Sequence, residues 1–304
     1  YISNCKLYKL SIDARHKPNV FYVATILFDC AININLSKYP NVTLCTEQPK
    51  ETKKYNPNNS QNIIAVGSGP SGLFAGLTLA ESGAKVTILE RGYKMDKRKC
   101  AVQNLMENGV LDTISNIQFG EGGAGTFSDG KLNTGIKSEH IQSVLETFVK
   151  FGASENILYD ARAHIGTDVL SKVIVNMRNY MCSIGVNFLF EHQLTDIIIE
   201  KENVVGIKVS TPNGSLELPC DMLVMGIGHS ARDTIRMLFD KNLMLKQKPF
   251  SMGYRIEHLQ SDINKSQYGS DYNRALPPAD YHLVTHLNNG RSVYTFCMCP
   301  GGVV

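Results

Sequence analysis

Long hydrophobic runs are missing from this sequence of 304 residues. The longest, at residues 20–28, is shorter than the ~20 residues that a membrane-spanning helix requires. An excess of either charge is also missing, because 31 basic and 28 acidic residues leave a net charge of +3. Such a balance gives no electrostatic basis for binding nucleic acid or an anionic membrane surface. With 43% hydrophobic residues, the composition predicts a soluble globular protein with a sizeable core.

Paired cysteine motifs are absent as well. The eight cysteines include no C-x-x-C pair, so neither a zinc ribbon nor a thioredoxin-type redox pair is predicted. The first residues are polar and lack the charged start and apolar stretch of a secretory signal. We therefore expect reduced thiols and a cytoplasmic location. The start at Tyr1 and the last residues, 301–304, lead us to expect a chain truncated at both ends.

Three stretches of different character follow one another along the chain. Residues 1–60 hold one strong strand signal and a polar linker, and we interpret them as a short N-terminal α/β module. Residues 61–240 predict an α/β, Rossmann-like domain, a parallel sheet with a three-stranded antiparallel meander. Residues 241–304 predict a partial, mainly antiparallel substrate domain that is incomplete at its C-terminus. The predicted strands are at 20–28, 62–66, 85–90, 186–190, 196–200, 204–210, 215–218, 221–225, 250–258, 281–287 and 292–297, and the helices at 71–82 and 168–182.

The turn after the first buried strand of the central domain reads Gly67-Ser68-Gly69-Pro70-Ser71-Gly72. The first glycine permits a tight strand-to-helix turn, the second lets the backbone approach a pyrophosphate, and the third lets the helix pack close to the strand. Phosphates then lie at the helix N-terminus, whose free N–H groups and dipole favour negative charge. Glu90 ends the second strand about twenty residues on, where a carboxylate accepts hydrogen bonds from an adenosine ribose. The motif predicts a site for FAD or NAD, and disfavours NADP because Glu90 would repel a 2′-phosphate.

Besides the glycine turn, the sequence carries the blocks SIDAR at 11–15, LERG at 89–92, NIQFGEGGAGTFSDGKL at 116–132, HIGTD at 164–168, GIGHSARDT at 226–234, RIEH at 255–258 and CMCPGG at 297–302. In this order they resemble the bacterial-type FAD-dependent dehydrogenases of unknown substrate, which are flavoproteins of the glutathione-reductase-like superfamily. The blocks extend over nearly the whole chain, and the one at 116–132 is highly specific. The resemblance implies FAD as the cofactor.

The resemblance also implies roles for particular residues. Glu90 would hold the adenosine ribose, Arg91 and Arg98 would lie near the adenine and pyrophosphate, and the backbone of Leu194 would meet the adenine ring. The glycine block at 122–130 would surround the pyrophosphate and ribityl chain, because glycines let N–H groups crowd an anion; a surface loop is the alternative. The predicted cofactor-binding residues are Gly67, Gly69, Pro70, Ser71, Gly72, Glu90, Arg91, Arg98, Gly122, Gly123, Gly125, Thr126, Leu194, Gly226 and Gly228.

Asp129 and Lys131 adjoin the block expected to face the flavin and are the candidates for catalysis. A lysine there would stabilise the anionic reduced flavin, with Asp129 as a base or as the partner of that lysine. An Asp-Gly turn with an exposed lysine is the structural alternative. Three histidines within the blocks could transfer protons at neutral pH, although a capping or core role is the simpler interpretation; they are His164, His229 and His258. Asp233 is predicted in the first turn of a helix.

A thiol–disulfide reductase is not expected. Only Cys100 lies where the reductases of the superfamily carry their redox pair, and the single glycine motif leaves no separate NAD domain. Cys297 and Cys299 are separated by one residue, so a disulfide between them would be strained. We interpret them as packing residues near the active site.

The expected function is that of an FAD-binding oxidoreductase, a dehydrogenase that transfers a hydride or two electrons between an unknown small-molecule substrate and FAD. NAD(P)H as a transient reductant stays open, and no metal, nucleic-acid or membrane partner is expected. A truncated, non-catalytic flavoprotein remnant is the alternative, because the segment that closes the flavin site in this superfamily would follow residue 304. A flavoprotein that modifies tRNA is less favoured by the near-neutral charge.

Overall fold

The computed structural model describes residues 2–32, 34–45, 61–127, 132, 134, 136–296 and 298. Its strands are β1 Ile2–His16, β2 Asn19–Cys30, β3 Ile63–Val66, β4 Val86–Glu90, β5 Asn187–Phe190, β6 Gln193–Glu200, β7 Asn203–Thr211, β8 Gly214–Pro219, β9 Met222–Met225, β10 Val284–His286 and β11 Ser292–Tyr294. Its helices are α1 Pro70–Glu81, α2 Met95–Asn108, α3 His140–Lys150, α4 Thr167–Ser183, α5 Arg232–Asp240 and α6 Gln260–Tyr268. In the described part of the chain, none of the helices combines the length and apolarity needed to cross a bilayer.

The chain divides into two compact units. One contains residues 1–47, 155–163 and 248–304, and the other contains residues 48–154 and 164–247. The segments predicted as an N-terminal module and a C-terminal substrate domain thus contribute to the same unit, together with a short stretch from the middle of the chain.

The second unit holds a parallel sheet in the order β5-β4-β3-β9. β3 is buried along its whole length, as its run of four apolar residues predicts for a strand covered on both faces. The strands β6, β7 and β8 form a separate antiparallel meander. Side chains of sheet and meander share one hydrophobic core, formed by Ile64, Val66, Leu89, Leu194, Ile197, Ile207, Val209 and Cys220. The predicted Rossmann-like sheet with its meander is therefore confirmed.

The first unit differs more from its prediction. β1 was not predicted as a strand, and it pairs with β2 in a two-stranded antiparallel ribbon. The predicted strand at 250–258 is wrong, because this segment has no strand structure, and the helix α6 follows it. Within the described residues, the predicted strands at 281–287 and 292–297 are reduced to the short pair β10 and β11. The described part of residues 2–45 contains no α-helix, so the expected α/β character of the N-terminal module is wrong there.

Candidate functional site

A cleft of about 480 Å³ opens in the second unit where β3, β4 and β9 end. The carboxyl ends of parallel strands are the usual place for ligands in open α/β sheets. The first turns of α1 and α5 also border this cleft, so two helix N-termini meet it. Its lining residues are Val66, Gly67, Gly69, Pro70, Ser71, Leu89, Glu90, Arg91, Gln118, Phe119, Gly123, Ala124, Gly125, His192, Gln193, Leu194, Met225, Gly226, Ile227, Gly228, His229, Ser230, Ala231 and Thr234.

Most of the predicted cofactor-binding residues meet at this cleft. Those that line it are Gly67, Gly69, Pro70, Ser71, Glu90, Arg91, Gly123, Gly125, Leu194, Gly226 and Gly228. Those that do not line it are Gly72, Arg98, Gly122 and Thr126. The catalytic candidates Asp129 and Lys131, and also Cys297 and Cys299, lie outside the described residues.

The glycine turn gives α1 an open N-terminus. Gly69 is the N-cap residue and makes no side-chain capping bond, and Pro70 occupies the start of the helix. The first N–H groups of a helix have no partners within the helix, so this end can bind an anion. Behind the turn, a Cβ atom on Gly72 would lie 1.9 Å from the carbonyl oxygen of Gly67. Gly72 therefore permits the close approach of α1 to the turn rather than contacting a ligand.

The first residues of the glycine block pack directly on the glycine turn. The N–H of Gly122 donates to the carbonyl of Ser68 at 3.0 Å. Gly123 has a φ of +69°, and a Cβ atom on it would lie 2.8 Å from the Cα of Gly69. The two glycine segments thus form one continuous wall of the cleft, although they are about fifty residues apart in sequence.

The carboxylate of Glu90 is almost fully buried and holds the glycine wall of the cleft together through hydrogen bonds. One carboxylate oxygen, Oε2, accepts hydrogen bonds from the N–H and the hydroxyl of Ser68, at 2.9 and 2.6 Å. The other, Oε1, accepts from the N–H groups of Gly92 and Gly120, at 2.8 and 3.0 Å. The residue predicted for the ribose therefore borders the cleft and also joins the turn to Gly120, two residues before the glycine block.

Arg91 and Asp233 form a bidentate ion pair at the edge of the cleft. The guanidinium nitrogens of Arg91 donate to the two carboxylate oxygens of Asp233 at 3.1 and 2.9 Å. The guanidinium also lies over the ring of Phe119, 4.3 Å from its centroid. Gln193 donates to the same carboxylate at 2.7 Å. Asp233 lies in the first turn of α5, as predicted, and it holds Arg91 in place there.

The ion pair predicts an acid-sensitive contribution to stability. Partial burial raises the pKa of Asp233, but hydrogen bonds from Arg91 and from the N–H of Thr234 outweigh burial, so that pKa lies below its ordinary value of 3.8. A lowered folded-state pKa adds stability above the unfolded-state pKa, and this is lost as the pH falls through the folded-state value. Asp233→Asn should therefore cost less than about 1 kcal/mol at pH 7, and clearly less near pH 2. Urea midpoints at both pH values measure this, and an equal deficit at both would contradict it.

Arg98 is not brought to the cleft. Its side chain is fully buried and donates to the carbonyls of Asn116, Ile117 and Glu121, at 3.1, 3.0 and 2.6 Å. Burial lowers the pKa of Arg98 to about 10, against the opposing effect of nearby carboxylates. The residue therefore braces the loop that carries the glycine block from behind.

A buried ion pair beside the glycine block was not predicted. The carboxylate of Glu121 is fully buried and accepts from Arg178 Nε on α4 at 2.5 Å. Its second oxygen accepts from the N–H of Met95 at 2.6 Å, at the start of α2. Glu121 thus joins the glycine block to two helices. Nothing local in the sequence signals this pair, because its members are 57 residues apart.

Several cleft residues escaped prediction although they lie beside predicted ones. Gln118 and Phe119 belong to the block at 116–132, in which the glycines indicate a phosphate contact and these two side chains carry no such signal. His192 lies two residues before Leu194, and its Nδ1 is 2.6 Å from the carbonyl oxygen of Phe190. Of the predicted histidines, His229 lines the cleft. Exposed His164 does not line it, and His258 belongs to the other unit.

The C-terminal part of the chain matches a known family. Residues 249–304 match the family described as "FAD-dependent protein, C-terminal domain-like". An uncharacterized protein of Clostridium beijerinckii is 40% identical over 309 residues, an alignment that covers 100% of this chain and 57% of that protein. The chain therefore spans little more than half the length of this relative. The cofactor that the family match indicates is FAD.

Solved structures with partial likeness have low scores. THI4 from Thermovibrio ammonificans has a TM-score of 0.41 at 17% identity, covering 60% of this chain and 64% of that chain. A 3-ketosteroid-Δ4-(5α)-dehydrogenase from Rhodococcus jostii has a TM-score of 0.36 at 14% identity, covering 55% and 46%. At these scores neither likeness bears on the reaction of this protein.

Proposed function

We propose that the cleft binds the FAD of a flavoprotein oxidoreductase, and that the reaction is a dehydrogenation of a small molecule. The observation that supports this most is the meeting of the open N-terminus of α1, the carboxylate of Glu90 and the glycine block at one cleft. The indication of FAD by the family match of residues 249–304 agrees with it. The reaction class itself follows from the resemblance of the sequence blocks.

The residues of the cleft fit the adenosine diphosphate half of FAD. The glycine wall leaves no side chains between the backbone and a bound pyrophosphate, and the dipole of α1 favours its negative charge. Gly125 lines the cleft, and a Cβ atom on it would meet no atom of the described residues within 4 Å, its two chain neighbours left aside. The Nε of Arg91 is buried without a hydrogen-bond partner among the residues that the structure describes. A glycine-walled cleft that meets the N-termini of α1 and α5 suits an anionic dinucleotide better than an uncharged substrate.

The chain's own residues would bind and orient the cofactor. Ser71 and the first-turn N–H groups of α1 would bind phosphate oxygens, and Glu90 would accept from ribose hydroxyls. Arg91, held by Asp233, would lie at the adenine side together with the backbone of Leu194. FAD, once bound, supplies the two-electron chemistry. Asp129 and Lys131 are proposed to transfer a proton and to stabilise charge at the flavin. NAD(P)H is proposed as the transient reductant.

A bulky residue at Gly125 tests the location of the site. Gly125 has no positive φ, and its Cβ direction is open, so leucine there should take up space at the cleft without straining the fold. Purified Gly125→Leu should bind FAD at least about tenfold more weakly than wild type, equal to about 1.4 kcal/mol. Its thermal midpoint without FAD should be unchanged. Two measurements test this. One is the amount of FAD that the purified protein releases on denaturation, and the other is a titration of the flavin-free protein with FAD.

Gly253→Leu is the matched control, because a Cβ on Gly253 is also unhindered and the residue belongs to the other unit. This variant should bind FAD as wild type does. If Gly125→Leu keeps full FAD binding, the cleft is not the FAD site. If wild type neither carries nor takes up FAD, the proposed function fails for residues 1–304.

A further inference from the structure

The carboxylate of Glu90 is fully used by the protein itself. A carboxylate offers about four lone-pair sites. Four donors occupy them here, namely the N–H and hydroxyl of Ser68 on Oε2 and the N–H groups of Gly92 and Gly120 on Oε1. A ribose hydroxyl can therefore donate to Glu90 only if one of these donors leaves.

Three of the donors are fixed by the backbone. The residue before Ser68 is tied to β4, because the N–H of Gly67 donates to the carbonyl of Leu89 at 2.7 Å. Gly92 and Gly120 are in close backbone contact, since a Cβ on Gly92 would lie 2.6 Å from the nitrogen of Gly120. The Ser68 hydroxyl differs from these groups because it can leave by rotation about a single side-chain bond.

We propose that, in the free protein, the Ser68 hydroxyl occupies the acceptor position of Glu90 that a ribose hydroxyl of the bound nucleotide takes over. Ser68 thereby competes with the nucleotide and sets its affinity. This rests on the proposed function, because it assumes that the adenosine part of FAD binds at Glu90. The bond in question is 2.6 Å long, in the range of strong hydrogen bonds to charged acceptors.

Removal of the hydroxyl should therefore have opposite effects on stability and affinity. In Ser68→Ala the free protein loses one buried hydrogen bond, so its thermal midpoint should fall. The ribose hydroxyl then meets an open acceptor and displaces nothing, so nucleotide affinity should rise by about 3- to 10-fold. A residue that merely supports the structure would lower both quantities together.

ADP and its 2′,3′-dideoxy analogue are the probes, because both have the adenine and the pyrophosphate but only ADP has ribose hydroxyls. Isothermal titration of the flavin-free chain should show tighter ADP binding by Ser68→Ala and unchanged binding of the dideoxy analogue. Ser68→Cys keeps a similar shape with a much weaker donor, and it should shift ADP affinity in the same direction should the alanine variant fold poorly. Ser183→Ala, on the exposed end of α4, should change neither affinity nor thermal midpoint.

Two results would overturn the proposal while leaving the FAD site in place. One is weaker ADP binding by both Ser68 variants, and the other is an equal gain for ADP and for the dideoxy analogue. If neither wild type nor variants bind ADP while wild type binds FAD and Gly125→Leu weakens that binding, the adenosine part does not bind at Glu90, and the proposal fails. If FAD binding also fails in wild type, the proposed function falls with it.

Discussion

Arg178→Met is expected to cost about 3–5 kcal/mol of unfolding free energy, because it leaves the carboxylate of Glu121 buried without its ion partner. Glu121 is fully buried, and the side chain of Arg178 is 11% exposed, so solvent replaces little of the lost interaction. Glu121 directly precedes the glycine block, and FAD binding should therefore fall together with stability. Urea unfolding, followed by circular dichroism and by FAD release, measures both effects.

The double variant Glu121→Gln with Arg178→Met separates charge from shape. A glutamine keeps an acceptor for the N–H of Met95 and carries no charge, so the double variant should be more stable than Arg178→Met alone. If it is equally unstable or less stable, the loss comes from packing around Arg178 and not from an unpaired buried charge. This comparison needs no assumption about the cofactor.

The second unit was predictable because its signals are local. β3 is an unbroken apolar strand, and the glycine turn that follows it predicts the start of α1 within a few residues. The meander β6–β8 was likewise predicted from its short turns, although β6 begins at Gln193 rather than 196. Where strand, turn and helix each carry their own pattern, the fold follows without knowledge of distant contacts.

The first unit was less predictable because alternation of residues does not make a strand without a partner. Phe250, Met252, Tyr254 and Ile256 alternate with small or polar residues, yet their side chains are largely exposed and the segment is not a strand. β1 shows the opposite case. Only its residues 10–15 alternate clearly between apolar and polar, and it becomes a strand through pairing with β2. Pairing between strands is a non-local property, and a single sequence reports it poorly.

The residues of the candidate site also fall into a group that the sequence predicts and a group that it does not. The residues at the cleft surface, such as Gly69 and Glu90, were predicted because a short motif specifies them. The residues behind the surface were misplaced or missed: Arg98 was expected near the cofactor and braces a loop, and the pair of Glu121 and Arg178 gave no signal. A buried charge finds its partner through the fold, so the sequence shows the charge and not the partner.

Gly72→Ala is expected to abolish measurable FAD binding and to cost about 3 kcal/mol or more of stability, at the upper end for overpacked sites. The added Cβ would lie 1.9 Å from the carbonyl oxygen of Gly67 and 3.0 Å from its carbon. Both are backbone atoms of the turn, so the clash can be relieved only if α1 and the turn move apart. The N-terminus of α1 then no longer faces the cleft as it does in wild type. FAD titration and urea unfolding of the same preparation measure the FAD affinity and the free energy of unfolding.

Gly76→Ala, one turn further along α1, is the matched control. Its Cβ would lie 2.8 Å from Cδ1 of Ile88 and 3.1 Å from Cε of Met181, which are the ends of flexible side chains that can rotate away. Gly76→Ala should lower the free energy of unfolding clearly less than Gly72→Ala does. FAD binding should persist, because the turn itself is not displaced. If the two variants lose FAD equally, binding depends on the packing of α1 as a whole and not on the contact between Gly67 and Gly72. If Gly72→Ala binds FAD normally, the turn tolerates displacement, and the anion site must lie elsewhere on the cleft wall.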